Sequence, residues 1–408
     1  MTELKLRTYC RSCGHDFLES ILDLGNHPWC NNFLNKDELG KEPYYPLHLV
    51  HCAKCDLLQL NYTVPKEIMF KKHSYVSSTT KTLTKHFYDL AIENRDQFNL
   101  KNTDLIVDIG GNDGTQLLQY KNLGLVNLLN IESASNIAQL SVDNLIPTKN
   151  EFFNEKVSKD LFAEKSVKLI NAAGVFFHLE ELHSVLSGIV YALKDDGVFV
   201  VQFMYAGSMV DNLNFDTIYH EHLCYYTLNS LKNLISPYGL EIFDSTYSPI
   251  HSGSIIAKIG FKGKFQKTTR MLETELNDKK YNKNSFLEFS AKIQSLRYKL
   301  KELLIGIKQK EPSAKIYAYG APAKGNTLLN YFDINKELVT KCAEVNQLKI
   351  GQYLPHTHIP IIQESSGDIP NYYLLLSHNF VDEILEKNLN LREKNVKFII
   401  PFPKVSII

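Results

Sequence analysis

The sequence predicts an α/β protein with three parts: a small cysteine-rich lobe, a unit built on a parallel sheet, and a second, smaller α/β unit. Five of the seven cysteines lie within the first 55 residues. From about residue 101 onward, apolar runs of strand length alternate with longer helical patterns, which is typical of a parallel sheet covered by helices. The 408 residues also exceed what one hydrophobic core usually serves, which favours two or three domains.

Composition and charge exclude several classes of function. Hydrophobic residues make up 44% of the chain and charged residues 22%, so neither a disordered nor a fibrous protein is expected. Lys+Arg and Asp+Glu both number 45, and this balance gives no support for nucleic acid or an anionic membrane as partner. The chain begins without the apolar run of a signal peptide, and no run reaches the roughly 18 apolar residues of a membrane span. We therefore expect a cytoplasmic protein with a small-molecule substrate, as a monomer or small homo-oligomer.

The first expected part, residues 1–70, is a metal-binding lobe. Cys10-x-x-Cys13 and Cys52-x-x-Cys55 form two knuckles, and clustered thiols in a reducing compartment favour metal over disulfides. Four thiolates suit a tetrahedral Zn²⁺ ion and leave no open position for water, so the zinc is expected to be structural. Two inert or redox-active cysteine pairs are the alternative. Other thiol and imidazole groups are less favoured substitutes as ligands: Cys30, His15, His27 and His51.

The second expected part, residues 71–263, carries four apolar runs of strand length. They are DLIVDIG (104–110), VNLLNIES (126–133), VKLINAAG (167–174) and GVFVVQFM (197–204). Helical segments such as LHSVLSGIVYALK (182–194) separate them, so the pattern predicts a Rossmann-like sheet with helices on both faces. The late segment, from ALKDDGVFVVQ to SLKNLISPYGLEIFD, resembles the end of a class I methyltransferase domain.

A glycine-rich turn between the first strand and its helix is the expected cofactor site. Its candidate residues are Asp108, Gly110, Asn112, Asp113 and Gly114. Glu132 ends the next strand, where a carboxylate accepts both hydroxyls of a ribose. Both NAD and S-adenosylmethionine (SAM) satisfy these features. The incomplete GxGxxG pattern and the acidic side chains favour SAM, whose sulfonium and amino groups are cationic. In the alternative interpretation, Asp113 only caps the helix and Glu132 lies on the surface.

A cluster of histidines and tyrosines follows the last predicted strand. Within FDTIYHEHLCYYTLNSL (215–231), eight positions hold Tyr219, His220, Glu221, His222, Tyr225 and Tyr226. Such a cluster is a costly way to fill a core. With an ordinary pKa near ~6.5, a histidine beside a carboxylate can accept a proton near neutral pH. A hydrogen-bonded structural cluster and a His-x-His metal site are the alternatives.

The third expected part, residues 264–408, begins with amphipathic linker helices in 264–311 and continues as a Rossmann-like unit from KIYAYGAPAKGNTLLNYF (315–332). Its turn offers Lys324 and free backbone N–H groups to a phosphate. The candidate substrate-binding residues are Tyr319, Gly320, Lys324, Gly325 and Asn326. An ordinary turn with a solvated lysine is the alternative.

The order of these motifs resembles the nucleotide-sugar C-methyltransferases of deoxysugar biosynthesis over nearly the full chain. The shared motifs are the two cysteine knuckles, HSYVSST (73–79), DIGGNDG (108–114), GVFFHLEELH (174–183), YHEH (219–222), SGS (252–254) and YGAPAKGNTLLNY (319–331). The resemblance implies a zinc lobe, a SAM-binding domain, and a second Rossmann-like domain that helps hold a nucleotide-sugar. It implies methyl transfer to a ring carbon beside a ketone, commonly C3 of a 4-keto hexose.

Carried over by position, the resemblance makes His222 the catalytic base, with Tyr219 and Glu221 beside it, and places Tyr75 and His178 in the active site. The family turn often reads IGSNDG where this chain has IGGNDG, and the family residue at the end of the second strand is often Asp where this chain has Glu132. Both departures keep the needed chemical groups.

Methylating carbon requires removal of a proton to form an enolate, whose oxygen needs hydrogen-bond donors such as Tyr219, His178 or Tyr75. The sequence leaves open which of His222, Tyr219 and His178 is the base. A sugar O-methyltransferase on the same scaffold, an NAD-dependent nucleotide-sugar oxidoreductase and a non-catalytic scaffold are the rival functions.

Overall fold

The computed structural model describes residues 6–70, 75–364 and 367–408. The first five residues of the predicted zinc lobe, and His73 and Ser74 of the HSYVSST motif, lie outside the described residues. The N-terminal lobe contains β1 (Leu18–Pro28), β2 (Tyr44–Cys52), β3 (Leu58–Leu60) and α1 (Lys66–Phe70). The three strands form an antiparallel sheet in which Leu49 of β2 pairs with Leu60 of β3.

The middle unit alternates strands and helices, as predicted. Its strands are β4 (Leu105–Ile109), β5 (Leu128–Ile131), β6 (Thr148–Lys149), β7 (Val167–Ala173), β8 (Leu193–Met204), β9 (Cys224–Tyr225), β10 (Leu240–Ser248) and β11 (Ser254–Phe261). Its helices are α2 (Lys81–Gln97), α3 (Thr115–Asn122), α4 (Ser135–Asp143), α5 (Glu155–Leu161), α6 (Leu182–Ala192), α7 (Ala206–Asp211) and α8 (Leu228–Ile235). The four predicted strands are confirmed as β4, β5, β7 and β8.

The strand order of the middle sheet is β10-β11-β8-β7-β4-β5-β6. Strands β4 to β8 run parallel, and β11 is antiparallel to both β8 and β10. This order, with an antiparallel hairpin at one edge, is the class I methyltransferase arrangement. The carboxyl ends of β4, β5 and β7 meet at one edge, where a doubly wound sheet binds its ligand.

The C-terminal unit starts with α9 (Thr269–Asp278) and α10 (Lys283–Lys310), which are the predicted amphipathic helices. It continues with β12 (Ile316–Tyr319), α11 (Ala323–Tyr331), β13 (Lys341–Glu344), β14 (Ile361–Gln363), β15 (Tyr372–Leu375), α12 (Val381–Lys387), α13 (Leu389–Glu393), β16 (Lys397–Ile400) and β17 (Ser406–Ile407). The sheet order is β14-β13-β12-β15-β16-β17, with the first five strands parallel, so the second Rossmann-like unit is confirmed.

The three parts share one hydrophobic core. Leu22 of β1, Phe203 of β8 and Leu374 of β15 belong to the same cluster of buried residues. Helix α10 buries Phe286 and Ile293 in this cluster, so it packs against the body of the protein in addition to linking two units. Strand β9 of the middle unit pairs with β3, which extends the N-terminal sheet. No helix among the described residues is both long enough and apolar enough to cross a membrane.

Candidate functional site

The N-terminal lobe brings the four knuckle cysteines together. The Sγ atoms of Cys10 and Cys55 lie 3.5 Å apart, as do those of Cys13 and Cys52, and all four lie within 4.8 Å of one another. A tetrahedral zinc ion with Zn–S bonds of about 2.3 Å needs sulfur–sulfur distances of about 3.8 Å, so the donor set fits zinc. Within the described ranges it is the one group of at least three His, Cys, Asp or Glu residues with metal-binding geometry. Cys30 and the three nearby histidines are not part of it.

The glycine turn after β4 packs tightly against neighbouring side chains of the middle unit. Gly110 has φ +65°, and a Cβ added to it would lie 2.7 Å from Val175 Cγ2. A Cβ on Gly111 would lie 2.5 Å from Asn130 Oδ1 and 2.7 Å from an oxygen of Asp108. Only glycine therefore fits at these two positions, which lie at the carboxyl edge of the sheet.

Two carboxyl groups, those of Asp108 and Glu132, lie at this crevice. Asp108 is 1% exposed, and neither of its oxygens has a hydrogen-bond partner within the described part of the chain. Burial, together with the negative charge of Glu132, raises the pKa of Asp108 to about 8. Glu132 accepts hydrogen bonds from the backbone N–H groups of Asn112, at 3.0 Å, and Ala134, at 2.8 Å. It is therefore buried at the turn and not on the surface.

The crevice fits SAM better than NAD. A cationic ligand beside Asp108 would favour its ionised form, whereas a pyrophosphate would favour the protonated form and would be repelled by Glu132. When bound, SAM supplies an electrophilic methyl group; Asp108 and Glu132 are the residues that would hold its cationic and ribose groups.

Asn112 and Asp113 anchor the segment that begins at Tyr75. The Asn112 side chain accepts the N–H of Ser77, at 2.9 Å, and donates to the Tyr75 carbonyl, at 3.2 Å. Asp113 accepts the N–H of Ser78, at 3.1 Å, and both the N–H and the hydroxyl of Thr115. Asp113 thus binds Thr115 at the start of α3, whose N-cap is Gly114, and the Tyr75 backbone lies beside the cofactor turn.

Two histidines lie close together near this crevice. The ring centroids of His178 and His222 are 5.0 Å apart. His178 Nδ1 lies 2.6 Å from the Glu221 carbonyl oxygen, and His222 Nδ1 lies 2.7 Å from the Thr217 carbonyl oxygen. Because a carbonyl oxygen only accepts, each Nδ1 carries a proton, and in the neutral form of each ring the lone pair lies at Nε2. The two carbonyl oxygens therefore fix the orientation of both imidazoles.

The loop after β7 connects the histidine pair to the cofactor turn. Val175, which abuts Gly110, lies three residues before His178. The carbonyl of Phe177 accepts the N–H groups of Leu223 and Cys224, at 2.8 and 3.2 Å, so this loop also carries the YHEH turn.

Tyr219 is a neutral donor beside His222. Their ring centroids are 3.9 Å apart. Burial, reinforced by the negative charge of Glu221, raises the pKa of the Tyr219 phenol well above its usual value. The phenol therefore remains protonated and can donate to a developing oxyanion.

The other two residues of the YHEH turn face the N-terminal lobe. His220 Nε2 lies 3.3 Å from the Tyr45 carbonyl oxygen, and burial lowers the pKa of His220 to about 4. Glu221 accepts hydrogen bonds from Trp29 and Asn31. Our sequence analysis missed these two lobe residues; that Trp29 is the single tryptophan of the chain was the only available signal.

The C-terminal turn differs from the expectation of free N–H groups. The N–H groups of Gly320, Ala321 and Gly325 already donate to Ala343, Glu344 and Pro322, respectively. The expectation was wrong for these three groups, because the loop folds back onto β13 and its own first turn. The Asn326 side chain donates to the Cys30 carbonyl oxygen at 2.6 Å.

Tyr319 points into the C-terminal core. Its hydroxyl donates to Glu364 and accepts from the Asn388 side chain, at 2.9 Å. These contacts argue against a substrate-binding role for this hydroxyl, and among the five candidates Lys324 offers the better polar group.

Lys324 Nζ is buried and makes no hydrogen bond within the described residues. Burial lowers the pKa of Lys324, and the negative charge of Asp216 opposes this shift. Asp216, from the middle unit, accepts a hydrogen bond from His378 Nε2 at 2.7 Å. Lys324 and His378 follow the adjacent strands β12 and β15, where the direction of strand order reverses, and such switch points are ligand-binding crevices. Asp216 and His378 were not predicted from the sequence.

Three protein-family models match this chain in order. They are described as “Putative zinc binding domain” over residues 10–70, “Methyltransferase domain” over residues 84–245, and “C-methyltransferase C-terminal domain” over residues 249–403. The curated relative C-methyltransferase NovU of Streptomyces niveus is 29% identical over 410 residues, which cover 98% of this chain and 96% of that protein.

Solved structures resemble the chain in part. Mitomycin 7-O-methyltransferase MmcR is 12% identical with a TM-score of 0.36, over 45% of this chain and 55% of that chain. A SAM-dependent methyltransferase from Clostridium acetobutylicum is 13% identical with a TM-score of 0.36, over 44% of this chain and 92% of that chain. These TM-scores are too low to carry an argument. The class I methyltransferase fold follows from the strand order of the middle sheet and from the matched methyltransferase domain.

Proposed function

Because this chain is a SAM-dependent methyltransferase built on the domains of the C-methyltransferases, with a structural zinc lobe, we propose that it methylates a nucleotide-linked keto-sugar. The methyl group goes to a ring carbon beside the ketone, C3 of a 4-keto hexose, in cytoplasmic deoxysugar biosynthesis. The relative named C-methyltransferase NovU and the matched C-terminal domain favour carbon over oxygen as the acceptor.

The observation that carries this proposal is the histidine pair with its neighbouring phenol. Carbon methylation needs a base for a C–H proton and a donor for the enolate oxygen that forms. His222 takes the ring proton at Nε2 while the Thr217 carbonyl holds its Nδ1–H group. Tyr219 keeps its phenolic proton and donates a hydrogen bond to the enolate oxygen. A simple hydroxyl acceptor would need the base but not the second donor.

Two crevices position the two reactants: the one with Asp108 and Glu132 binds SAM, and the one with Lys324 binds the nucleotide-sugar. Asp108 and Glu132 orient SAM, so that its methyl carbon faces the substrate. Lys324 donates from the C-terminal unit to the polar, nucleotide-bearing part of the sugar. Asp216 offsets part of the lysine charge, so this site suits a phosphate oxygen or a hydroxyl of the substrate rather than a free polyanion.

The experiment compares matched keto and non-keto nucleotide-sugars with SAM, and uses mass spectrometry to detect the methylated product. The 4-keto sugar is expected to gain one methyl group and the 4-hydroxy sugar none. In D2O, the carbon beside the ketone is expected to exchange its proton with the wild-type protein. Methylation of the 4-hydroxy sugar would instead favour an O-methyltransferase.

A further inference from the structure

We propose that the zinc-binding lobe is a working part of the methyl-transfer site, with Trp29 and Asn31 as positioning residues for Glu221 and, through it, for His178. This inference deepens the proposed function and rests on it only for the activity measurements. The inference is based on hydrogen bonds from Trp29 and Asn31 to Glu221, which lies 192 and 190 residues further along the chain.

The contacts form a continuous path from the lobe to the imidazole. Trp29 Nε1 and Asn31 Nδ2 both donate to Glu221 Oε1, at 2.6 and 2.5 Å. Glu221 is 3% exposed, so water does not compete with these bonds. The backbone carbonyl of the same Glu221 accepts the Nδ1–H group of His178 at 2.6 Å. Fixing the carboxylate therefore fixes the carbonyl that sets the tautomer and direction of His178.

The lobe can hold Glu221 because it is firmly joined to the YHEH turn. The Cys52–Cys55 knuckle runs directly into β3, which pairs with β9 just after the turn. The N–H of Leu60 in β3 donates to the Leu223 carbonyl at 3.0 Å. Zinc thus fixes the start of the strand against which the turn is built.

The same contacts give Glu221 a different role from His222. A carboxylate that accepts protons from substrate must face the substrate with an oxygen available. Glu221 Oε1 instead faces the lobe and accepts from two donors. We therefore assign Glu221, through these contacts of its Oε1 atom, as a positioning residue for His178.

The test removes the donors while preserving the shape of each side chain. Trp29→Phe keeps an aromatic ring without the indole N–H, and Asn31→Leu keeps a branched side chain without the amide. For each variant we expect kcat to fall about 10- to 100-fold, the range typical of an outer hydrogen-bond partner, with zinc content, SAM affinity and KM unchanged. Asn26→Leu, at an exposed position of β1, is the matched control and should retain wild-type kcat.

A spectroscopic readout separates positioning from general destabilisation and needs no sugar. In ¹⁵N spectra of the neutral imidazoles, wild-type His178 is expected as the Nδ1–H tautomer, and the Nε2–H tautomer should appear in Trp29→Phe and Asn31→Leu. Glu221→Gln still offers an oxygen to both donors, so it should keep the wild-type tautomer and most of kcat. An unchanged tautomer in both lobe variants, or a Glu221→Gln protein with the wild-type tautomer and no activity, would overturn the inference. Because the spectra require no substrate, failure of the proposed reaction would leave the tautomer result intact.

Discussion

The two Rossmann-like units of this chain build the same turn. In the middle unit, Glu132 follows β5 and accepts the N–H of Asn112, in the turn after β4, at 3.0 Å. In the C-terminal unit, Glu344 ends β13 and accepts the N–H of Ala321, in the turn after β12, at 2.7 Å. In both units a carboxylate at the end of the second strand thus closes the turn that follows the first.

The units differ in the charge that faces the turn. Two residues before the first glycine of the turn, the middle unit has Asp108 and the C-terminal unit has Ala318. The C-terminal unit instead supplies cations: Lys324 is buried near Asp216, and Lys349 donates to the Ala321 carbonyl oxygen at 2.8 Å. The same turn is therefore surrounded by different side-chain charges in the two units, which is why we propose the cationic cofactor for the first and the substrate for the second.

The largest expected effect is the loss of catalytic rate when the proposed base, His222, is removed. His222→Ala should lower kcat by about two to four orders of magnitude, the usual contribution of a positioned base, while SAM affinity and folding stay unchanged. Initial rates and calorimetry measure these quantities, and His183→Ala, at an exposed histidine, is the control. A rate near that of the wild type would transfer the role of base to Tyr219 or His178.

The next effect tests the acidic crevice. Asp108→Asn keeps the shape of the side chain but cannot ionise beside the bound cation, so SAM should bind roughly 10- to 100-fold more weakly, as expected for losing a charged hydrogen-bond partner. The KM for the sugar should not change. Calorimetry with SAM measures the loss, and Asp143→Asn, on the exposed side of α4, is the matched control. Equal SAM affinity in both variants would contradict the role of Asp108 in binding the cationic groups of SAM.

The C-terminal crevice should respond in the opposite way. Lys324→Met should raise the KM for the nucleotide-sugar about tenfold and leave SAM affinity unchanged, because one charged hydrogen bond to substrate is lost. Lys324→Met leaves the buried Asp216 carboxylate without its neighbouring cation, which could destabilise the fold. The double variant Lys324→Met/Asp216→Asn removes that carboxylate charge as well and serves as the folding control. Lys336→Met, at an exposed lysine, is the control. A weaker affinity for SAM with an unchanged KM for the sugar would contradict the assignment of the C-terminal crevice to the substrate.

The last prediction concerns stability rather than rate or affinity: the free energy of unfolding should depend on pH. The pKa of Asp108 is raised to about 8 in the folded protein from an unfolded value near 3.8, so the folded state holds a proton that the unfolded state releases. Without SAM, the wild type should lose stability relative to Asp108→Asn as pH rises from about 4 to about 8, with no further change above that range. Melting temperatures of both proteins across this pH range measure the difference. Parallel curves would show that Asp108 is ionised in the folded protein.

Much of the fold could be predicted because its patterns are local. The alternation of strands and helices and the two strand–turn–helix starts depend on contiguous residues, and β4, β5, β7, β8 and β12 lie where they were expected. Strand β9 was not predicted, since two residues have no periodicity and pair only because β3 lies beside them. The direction of side chains in the YHEH turn was not predictable either. Glu221 precedes His222, yet its carboxylate accepts from Trp29 and Asn31 while the Nδ1–H of His222 bonds to Thr217.

The sequence by itself determined which chemical groups this protein has: two pairs of thiols, a glycine turn with carboxylates, a cluster of histidines and tyrosines, and a lysine after a second glycine turn. Spacing along the chain sets these features, and the chain carries them whatever surrounds it. Only the tertiary structure decided which groups meet. Glu221 joins the N-terminal lobe, and Asp216 joins His378, across separations of 192 and 162 residues. A buried polar atom cannot bind bulk water, so it must find its hydrogen-bond partner among the groups that packing brings next to it. Which groups those are depends on how elements far apart in the chain pack into one core.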